Sequence, residues 1–385
     1  MNSWQKVNTW PRINGPAVVS FGAVSIWLKR LYVMSTNTDD LRIQNLRELV
    51  VPEALISELP AEGPLAEHVN ASRGVIQSIL DQADDRLVVV VGPCSIHDPD
   101  AAMDYAARLK ALADEVAEDI FVVMRVYFEK PRTTVGWKGL INDPHLDNSF
   151  DVNEGLRRAR QLLLDINGVG LPTATEYLDL ISPQYIADLV SWGAIGARTT
   201  ESQSHRELAS GLSCPVGFKN GTGGNVQIAV DAIGAAQHSH HFLSVTKGGQ
   251  SAIFETAGNP YCHLILRGGP QPNYDMFSVD DACAMLAKAK LAESVMIDAS
   301  HANSRKQPAR QVSVAEDIAT QVARGDRRII GLMLESFIES GRQDVVDKND
   351  LVYGQSITDP CMDWAQTVST LHTLAEAVQH RRTSA

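Results

Sequence analysis

Leu87-Val88-Val89-Val90-Val91-Gly92-Pro93-Cys94 is the stretch on which the reading of the fold turns. A short apolar run ends in residues that a core would not choose, and the same arrangement returns down the chain. Residues 120–124 run into Arg125, 172–175 into Glu176, 193–197 into Arg198 and 216–218 into Lys219. Residues 263–266 run into Arg267, 295–297 into Asp298 with His301 just after, and 329–334 into Glu335. Counting 87–91, there are eight runs. Eight strands with reactive residues at their C-terminal ends predict a (β/α)8 TIM barrel of the α/β class, with its active site on that face. Three Arg, one Lys, one Cys, one His and two Glu would converge there, a set suited to a divalent metal beside a bed for phosphorylated anions.

The segments between these runs carry helical spacing of apolar residues: 101–116, 155–167, 183–190, 203–210, 279–291 and 314–324. Strand alternating with helix is the α/β pattern. Residues 242–245 and 251–256 flank a Gly248-Gly249 turn and interrupt the count. They predict an inserted β-hairpin, about 237–258, before the sixth barrel strand. Residues 364–381 predict a closing helix, and 359–361 a loop before it.

Upstream, residues 39–43 read as an arm, 52–59 as a short helix and 64–83 as a longer one. An N-terminal regulatory arm and helix are therefore expected over 34–85, and the catalytic barrel over 86–385. Residues 1–33 stand apart: they contain no Asp or Glu, and three of the six Trp. Residues 17–28 are apolar but too short for a bilayer span, which takes about 20 residues. Lys29 and Arg30 follow them, with no small-residue cleavage pattern. The expectation is a non-native or disordered extension, with Met34 as the natural start.

The chain of 385 residues is long enough for one large barrel with additions. Its 44% hydrophobic and 21% charged content is that of a soluble globular protein. A net charge of −12 argues against bulk nucleic-acid binding, which needs a basic face. No stretch predicts a membrane partner. Five Cys in a chain of this length do not make a disulfide framework, and the expected setting is the reducing cytoplasm.

Cys94, His301, Glu335 and Asp359 form a metal set if the strand ends bring them together. Thiolate and imidazole suit zinc, iron, copper or cobalt, and carboxylates widen the choice to manganese. The alternative is that Cys94 is a small buried residue, the commonest fate of a free Cys. Arg125, Lys130, Arg132, Arg198, Lys219 and Arg267 form a basic set. An unpaired buried charge is costly, so these either meet an anionic substrate or pair with acids such as Glu129, Glu176 and Glu201. Arg198 with Glu201 is the nearest such pair. Arg grips carboxylate and phosphate bidentately, whereas Lys acts as a point charge.

Glu129-Lys130-Pro131-Arg132-Thr133-Thr134 puts two cations and two hydroxyls on a loop stiffened by proline, which is either a phosphate grip or a solvated turn. In Lys219-Asn220-Gly221-Thr222-Gly223-Gly224 the Lys precedes the glycines, so this is not a P-loop; the Lys could alternatively form a Schiff base. His97 is expected to cap the next helix or orient the site. His238, His240 and His241 read as a solvated turn rather than a metal tract.

These residues closely resemble the type I alpha class of 3-deoxy-D-arabino-heptulosonate 7-phosphate (DAHP) synthases. The matching motifs are 91–98 (VGPCSIHD), 124–133 (MRVYFEKPRT), 136–140 (GWKGL), 196–202 (GARTTES), 215–222 (PVGFKNGT) and 266–269 (LRGG), and the resemblance runs from about Asp39 to the C-terminus. It implies condensation of phosphoenolpyruvate (PEP) with erythrose 4-phosphate and water to give DAHP and phosphate, the first step of the shikimate pathway. The related synthase acting on arabinose 5-phosphate and a Schiff-base aldolase on Lys219 are the alternatives. By resemblance, the divalent metal (Mn, Fe, Co or Zn) falls on Cys94, His301, Glu335 and Asp359. The PEP site falls on Arg125, Lys130, Arg198, Lys219 and Arg267, and the erythrose-phosphate grip on Arg132 and Thr133. Lys130 is the acid or base, and Glu176 a water-positioning group. The family is feedback-inhibited by an aromatic amino acid, and Asp39, Asp40, Pro183, Gln184, Ser213, Phe242, Ser244 and Phe254 occupy the matching places. Ile181 and Pro183 are of the phenylalanine-sensitive type, Phe254 of the tryptophan-sensitive type. Gly223 and Gly248 depart from the family pattern. A homodimer or homotetramer is expected.

Overall fold

A computed structural model describes residues 38–132 and 136–383. The expected extension at 1–33 and residue Thr133 lie outside the described residues. A compact unit runs from Leu49 to the C-terminus, and the described residues 38–48 belong to a separate unit.

Two helices, α1 (Pro52–Glu58) and α2 (Pro64–Leu80), precede the first strand. Then follow β1 (Leu87–Gly92), α3 (Pro99–Glu115), β2 (Ile120–Arg125), α4 (Val152–Gly168), β3 (Thr173–Glu176) and α5 (Pro183–Ile186). Next come β4 (Trp192–Ile195), α6 (Gln203–Gly211), β5 (Val216–Lys219), α7 (Gln227–Ala236) and the antiparallel hairpin β6 (His241–Val245) with β7 (Ser251–Glu255). The chain closes with β8 (Cys262–Leu266), α8 (Met276–Lys288), β9 (Val295–Asp298), α9 (Pro308–Ala323), β10 (Ile329–Glu335) and α10 (Trp364–Thr383). The eight strands other than the hairpin form a closed parallel barrel in the order β1-β10-β9-β8-β5-β4-β3-β2. This is the expected (β/α)8 fold, with the hairpin inserted between the fifth and sixth barrel strands.

The run 87–92 explains the architecture. Every residue of β1 is buried. Val88 and Val90 pack into the lumen with Val123, Tyr127, Trp192, Ile265, Met296 and Met333, while Leu87, Val89 and Val91 pack into the layer shared with the helices. A strand covered on both faces tolerates no alternating polar residue, which is why it reads as continuous Val. Asp98 fixes the start of α3 by accepting from the backbone N–H groups of Asp100 and Ala101. Capping thus falls to Asp98 and not to His97, whose ring packs edge-on to Phe337 at 6.3 Å.

Two helices differ from expectation. The segment 183–190 is only one α-turn followed by a 3-10 turn, Ala187–Leu189. Helix α7 is unanticipated, because Ala229, Val230, Ala232, Ile233 and Ala236 bury most of its circumference and leave little amphipathic contrast to read.

Candidate active site

Strand register sets a polar layer at the C-terminal rim. Gly92 of β1 pairs with Glu335 of β10, and Met333 of β10 with Asp298 of β9. Arg125 ends β2 beside Ala174, and Glu176 ends β3 beside Ala194. Lys219 closes β5 opposite Ile265.

Cys94, Glu335 and Asp359 present one thiol and two carboxylates with donor atoms within 4.8 Å of one another, close enough to share one cation. Cys94 and Glu335 are buried, and Asp359 is half-buried. His301 borders this trio without joining it. Its Nε2 is 3.8 Å from Glu335, and its Nδ1 is turned to Asp298 at 2.8 Å. Burial and the Glu335 charge push the Cys94 thiol up, against the pull of Lys130 and Arg125. Burial alone would raise the Asp359 carboxyl, but Lys130 and Lys306 hold it below the ordinary carboxylate value. A soft thiol with hard carboxylates and a neighbouring imidazole fits a divalent transition metal.

The cations divide into paired and unpaired groups. Arg125 is 1% exposed; its Nη2 donates to Glu335 Oε1 at 3.0 Å and to the Cys94 carbonyl at 3.1 Å. Its guanidinium lies 3.5 Å from the Tyr127 ring centroid. Lys219 Nζ stands 2.9 Å from Asp298 Oδ2, and both residues are buried. Lys130 Nζ donates to Cys94 Sγ at 3.0 Å. The neutralising acids are therefore Glu335 and Asp298 rather than Glu129, Glu176 or Glu201. Among the described residues Arg198 has no ion pair, with Glu201 or otherwise, and neither has Arg267, whose buried Nε also lacks a hydrogen-bond partner. Arg132 is exposed and donates from Nε to the Trp137 carbonyl at 2.7 Å.

Lys130, Arg132, Glu176, Arg198, Lys219, Arg267, His301 and Asp359 line one cavity of about 300 Å³. Gly196 lines it too and leaves room for Glu176: a Cβ there would stand 2.3 Å from Glu176 Oε1 and push that side-chain end aside. Three residues received no role from the sequence. Asp298 ties His301 to Lys219, Gly196 makes room for Glu176, and Lys306 pairs with Asp359 at 3.0 Å. Asp298 ended a strand run and could have been found that way; Lys306 carried no signal.

The histidines at the hairpin are not a ligand set. His238 and His241 are exposed, and His240 Nε2 meets the Ala235 carbonyl at 2.8 Å.

A second cavity, about 740 Å³, lies between α2, α5, the end of α6 and the hairpin. Pro183, Gln184, Ser213, Phe242, Ser244 and Phe254 all line it. Phe242 and Phe254 face each other across the hairpin, with ring centroids 5.9 Å apart. Asp39 and Asp40 lie in the separate 38–48 unit, where the Asp40 backbone N–H donates to Asp39 at 2.9 Å. Ser182, beside Pro183, donates to the buried Glu129, beside Lys130, at 2.9 Å. Burial and Asp179 push the Glu129 carboxyl up to about 7.

Residues 67–372 match the family described as the DAHP synthetase I family. The Phe-sensitive phospho-2-dehydro-3-deoxyheptonate aldolase of Escherichia coli (strain K12) is 58% identical over 349 residues, covering 91% of this chain and 100% of that protein. The Trp-sensitive one of Enterobacter agglomerans is 57% identical over 344 residues, covering 89% and 99%. The solved structure of phospho-2-dehydro-3-deoxyheptonate aldolase from Francisella tularensis SCHU S4 superposes with a TM-score of 0.87 at 55% identity, covering 88% of this chain and 99% of that one. With the barrel, the rim residues and the matched length in agreement, the chain belongs to the DAHP synthetase I family.

Proposed function

We propose that this protein condenses PEP with D-erythrose 4-phosphate and water to give DAHP and phosphate, the first step of the shikimate pathway, under feedback inhibition by an aromatic amino acid. One observation carries the reading: two guanidinium groups without acid partners, Arg198 and Arg267, share a cavity of about 300 Å³ with His301 and Asp359, and Asp359 has its donor atom within 4.8 Å of those of Cys94 and Glu335.

Arg198 and Arg267 grip the PEP phosphate and carboxylate as bidentate donors. Arg125 and Lys219 add positive charge that Glu335 and Asp298 already balance, so the cavity is not destabilised before substrate arrives. Arg132 and Thr133 take the phosphate of the aldose. Holding both anions places the enol carbon of PEP against the aldehyde carbon, an entropic contribution. The new carbon–carbon bond forms there. Water, positioned by Glu176, adds to the adjacent carbon, and phosphate leaves. Lys130, within reach of both the cavity and Cys94, moves the proton at the aldehyde oxygen. A divalent metal (Mn, Fe, Co or Zn) held by Cys94, His301, Glu335 and Asp359 supplies Lewis acidity toward that oxygen when bound.

The effector binds in the 740 Å³ cavity, supported by its lining of six expected effector residues. The active form is a homodimer or homotetramer in the cytoplasm. A cytoplasmic site is supported by five free, buried cysteines.

A Schiff-base route is disfavoured because Lys219 Nζ is engaged by a carboxylate, not set in an apolar pocket. Purified protein should consume PEP when given erythrose 4-phosphate, and much more slowly with arabinose 5-phosphate, with no borohydride-trapped adduct. Preference for arabinose 5-phosphate, or a trapped adduct on Lys219, would overturn the proposal. The same assay with phenylalanine, tyrosine and tryptophan identifies the effector.

A further inference from the structure

The two carboxylates of the Cys94–Glu335–Asp359 trio are balanced in different ways. Glu335 is paired with Arg125 at 3.0 Å, and both side chains are essentially inaccessible at 2% and 1% exposure. That partner is built into the core. Asp359 is paired with Lys306 at 3.0 Å, at side-chain exposures of 32% and 57%. That partner stands at the open edge of the cavity on a flexible stem. Two carboxylate-bearing donors and a thiol within 4.8 Å of one another need countercharge in the absence of a cation. For the outer carboxylate, the buried Lys130 adds nearby positive charge, but the direct ion pair is made with a group that can leave.

The backbone aims Lys306 at this place. His301, Arg305 and Lys306 all have positive φ, at 52°, 52° and 57°. Left-handed backbone is uncommon for residues with side chains and persists where the surroundings hold it. The Lys306 N–H donates to the His301 carbonyl at 2.7 Å, closing the loop between α9 and β9 on itself. The loop that presents His301 to Glu335 therefore also turns Lys306 back over Asp359. Arg305, one residue earlier and equally charged, is exposed and has no ion pair among the described residues.

We propose that Lys306 is the exchangeable counter-ion of the metal site: its ammonium holds Asp359 when no metal is bound and is released when a divalent cation takes that carboxylate. The proposal rests on the metal-site reading above. Metal binding then competes with an internal cation, and removing that cation strengthens binding. An exposed pair is weak, so the effect is small, about two- to fivefold in affinity. It is also screened by salt.

The test is calorimetric titration of the full chain with Mn2+, comparing the wild type with Lys306→Met, Arg305→Met and Cys94→Ala. Lys306→Met is expected to bind Mn2+ about two- to fivefold more tightly than wild type at low salt, and the difference is expected to close in about 1 M salt. Arg305→Met, with the same change in net charge, is expected to match wild type. Equal or weaker binding by Lys306→Met would overturn the proposal. So would an equal gain in Arg305→Met, which would reduce the effect to the general field of the loop. If wild type and Cys94→Ala bind Mn2+ alike, the metal-site reading itself falls. Lys306 is exposed, so its variant is expected to fold, as far-ultraviolet circular dichroism checks.

Discussion

The cavity at the barrel rim and the cavity beneath the hairpin are walled differently. The rim cavity, about 300 Å³, is made by strand ends whose heights are locked by parallel register, and its deepest charges are paired, Arg125 with Glu335 and Lys219 with Asp298. The side cavity, about 740 Å³, is made by helix ends and a hairpin outside the barrel. The inward residues Phe242, Ser244 and Phe254 are only half-buried, and the outward ones, Leu243 and Ile253, are 84% and 73% exposed. A site that must place reacting atoms benefits from the first construction, because small misplacements there are costly. A site that senses a ligand tolerates the second, since loosely held elements can take two arrangements. The Glu129–Ser182 contact joins them: one residue neighbours Lys130 in the rim cavity, the other Pro183 in the side cavity.

The contrast is broken most severely at the rim. Cys94→Ala removes a buried donor, and turnover should fall by about 10³-fold or more if metal assistance is worth several kcal/mol. PEP absorbance measures it, and an unchanged circular dichroism spectrum shows the fold intact. Near-normal turnover without bound metal would remove Cys94 from the site. Gly196→Ala comes next. Its new Cβ would meet Glu176 Oε1, a side-chain end that can move aside, so stability should hardly change while kcat falls by about 10–100-fold. An unaffected kcat would mean that Glu176 does not act where the geometry puts it.

The side cavity should respond in the opposite sense. Phe254→Ala is expected to leave uninhibited activity within about twofold and to raise the half-inhibitory concentration of the effector about tenfold, through loss of aromatic contact. Unaltered inhibition would move the effector elsewhere.

The last test lies at the link between the cavities and reads stability rather than turnover or inhibition. Glu129 has its carboxyl pushed up to about 7 in the fold, against an ordinary 4.5, so the folded state binds the extra proton. Stability from this group therefore falls as pH rises from about 4.5 through 7 and is flat above. The full shift is on the order of 3 kcal/mol. Glu129→Gln should raise Tm by a few degrees at pH 8 and have little effect at pH 5. A Tm difference independent of pH would show that Glu129 is not buried as a strained acid.

Most of the rim was legible in the sequence because a parallel barrel forces continuous apolar strands, so that Arg125, Glu176, Lys219 and Glu335 stand out where each run stops. Arg198 lies three residues past the end of β4, and the sequence pattern could not separate it from the strand. Charge pairing was hidden for a different reason. Glu335 reaches Arg125 past β1 and Asp298 reaches Lys219 past β8, each from the next strand but one and from a position far away in the chain. Helix α7 was hidden because a helix buried around most of its surface has no polar face to give a period. Lys306 depends on left-handed backbone that no residue type there announces.

The most direct test of the central claim, that the trio and its neighbouring His301 form a working metal site for PEP condensation, is the PEP absorbance of the purified chain with erythrose 4-phosphate, before and after EDTA and after adding back Mn2+. A working site gives loss of PEP that requires the aldehyde, stops with EDTA and returns with Mn2+. Undiminished turnover in EDTA, with the protein shown to be free of metal, would contradict it.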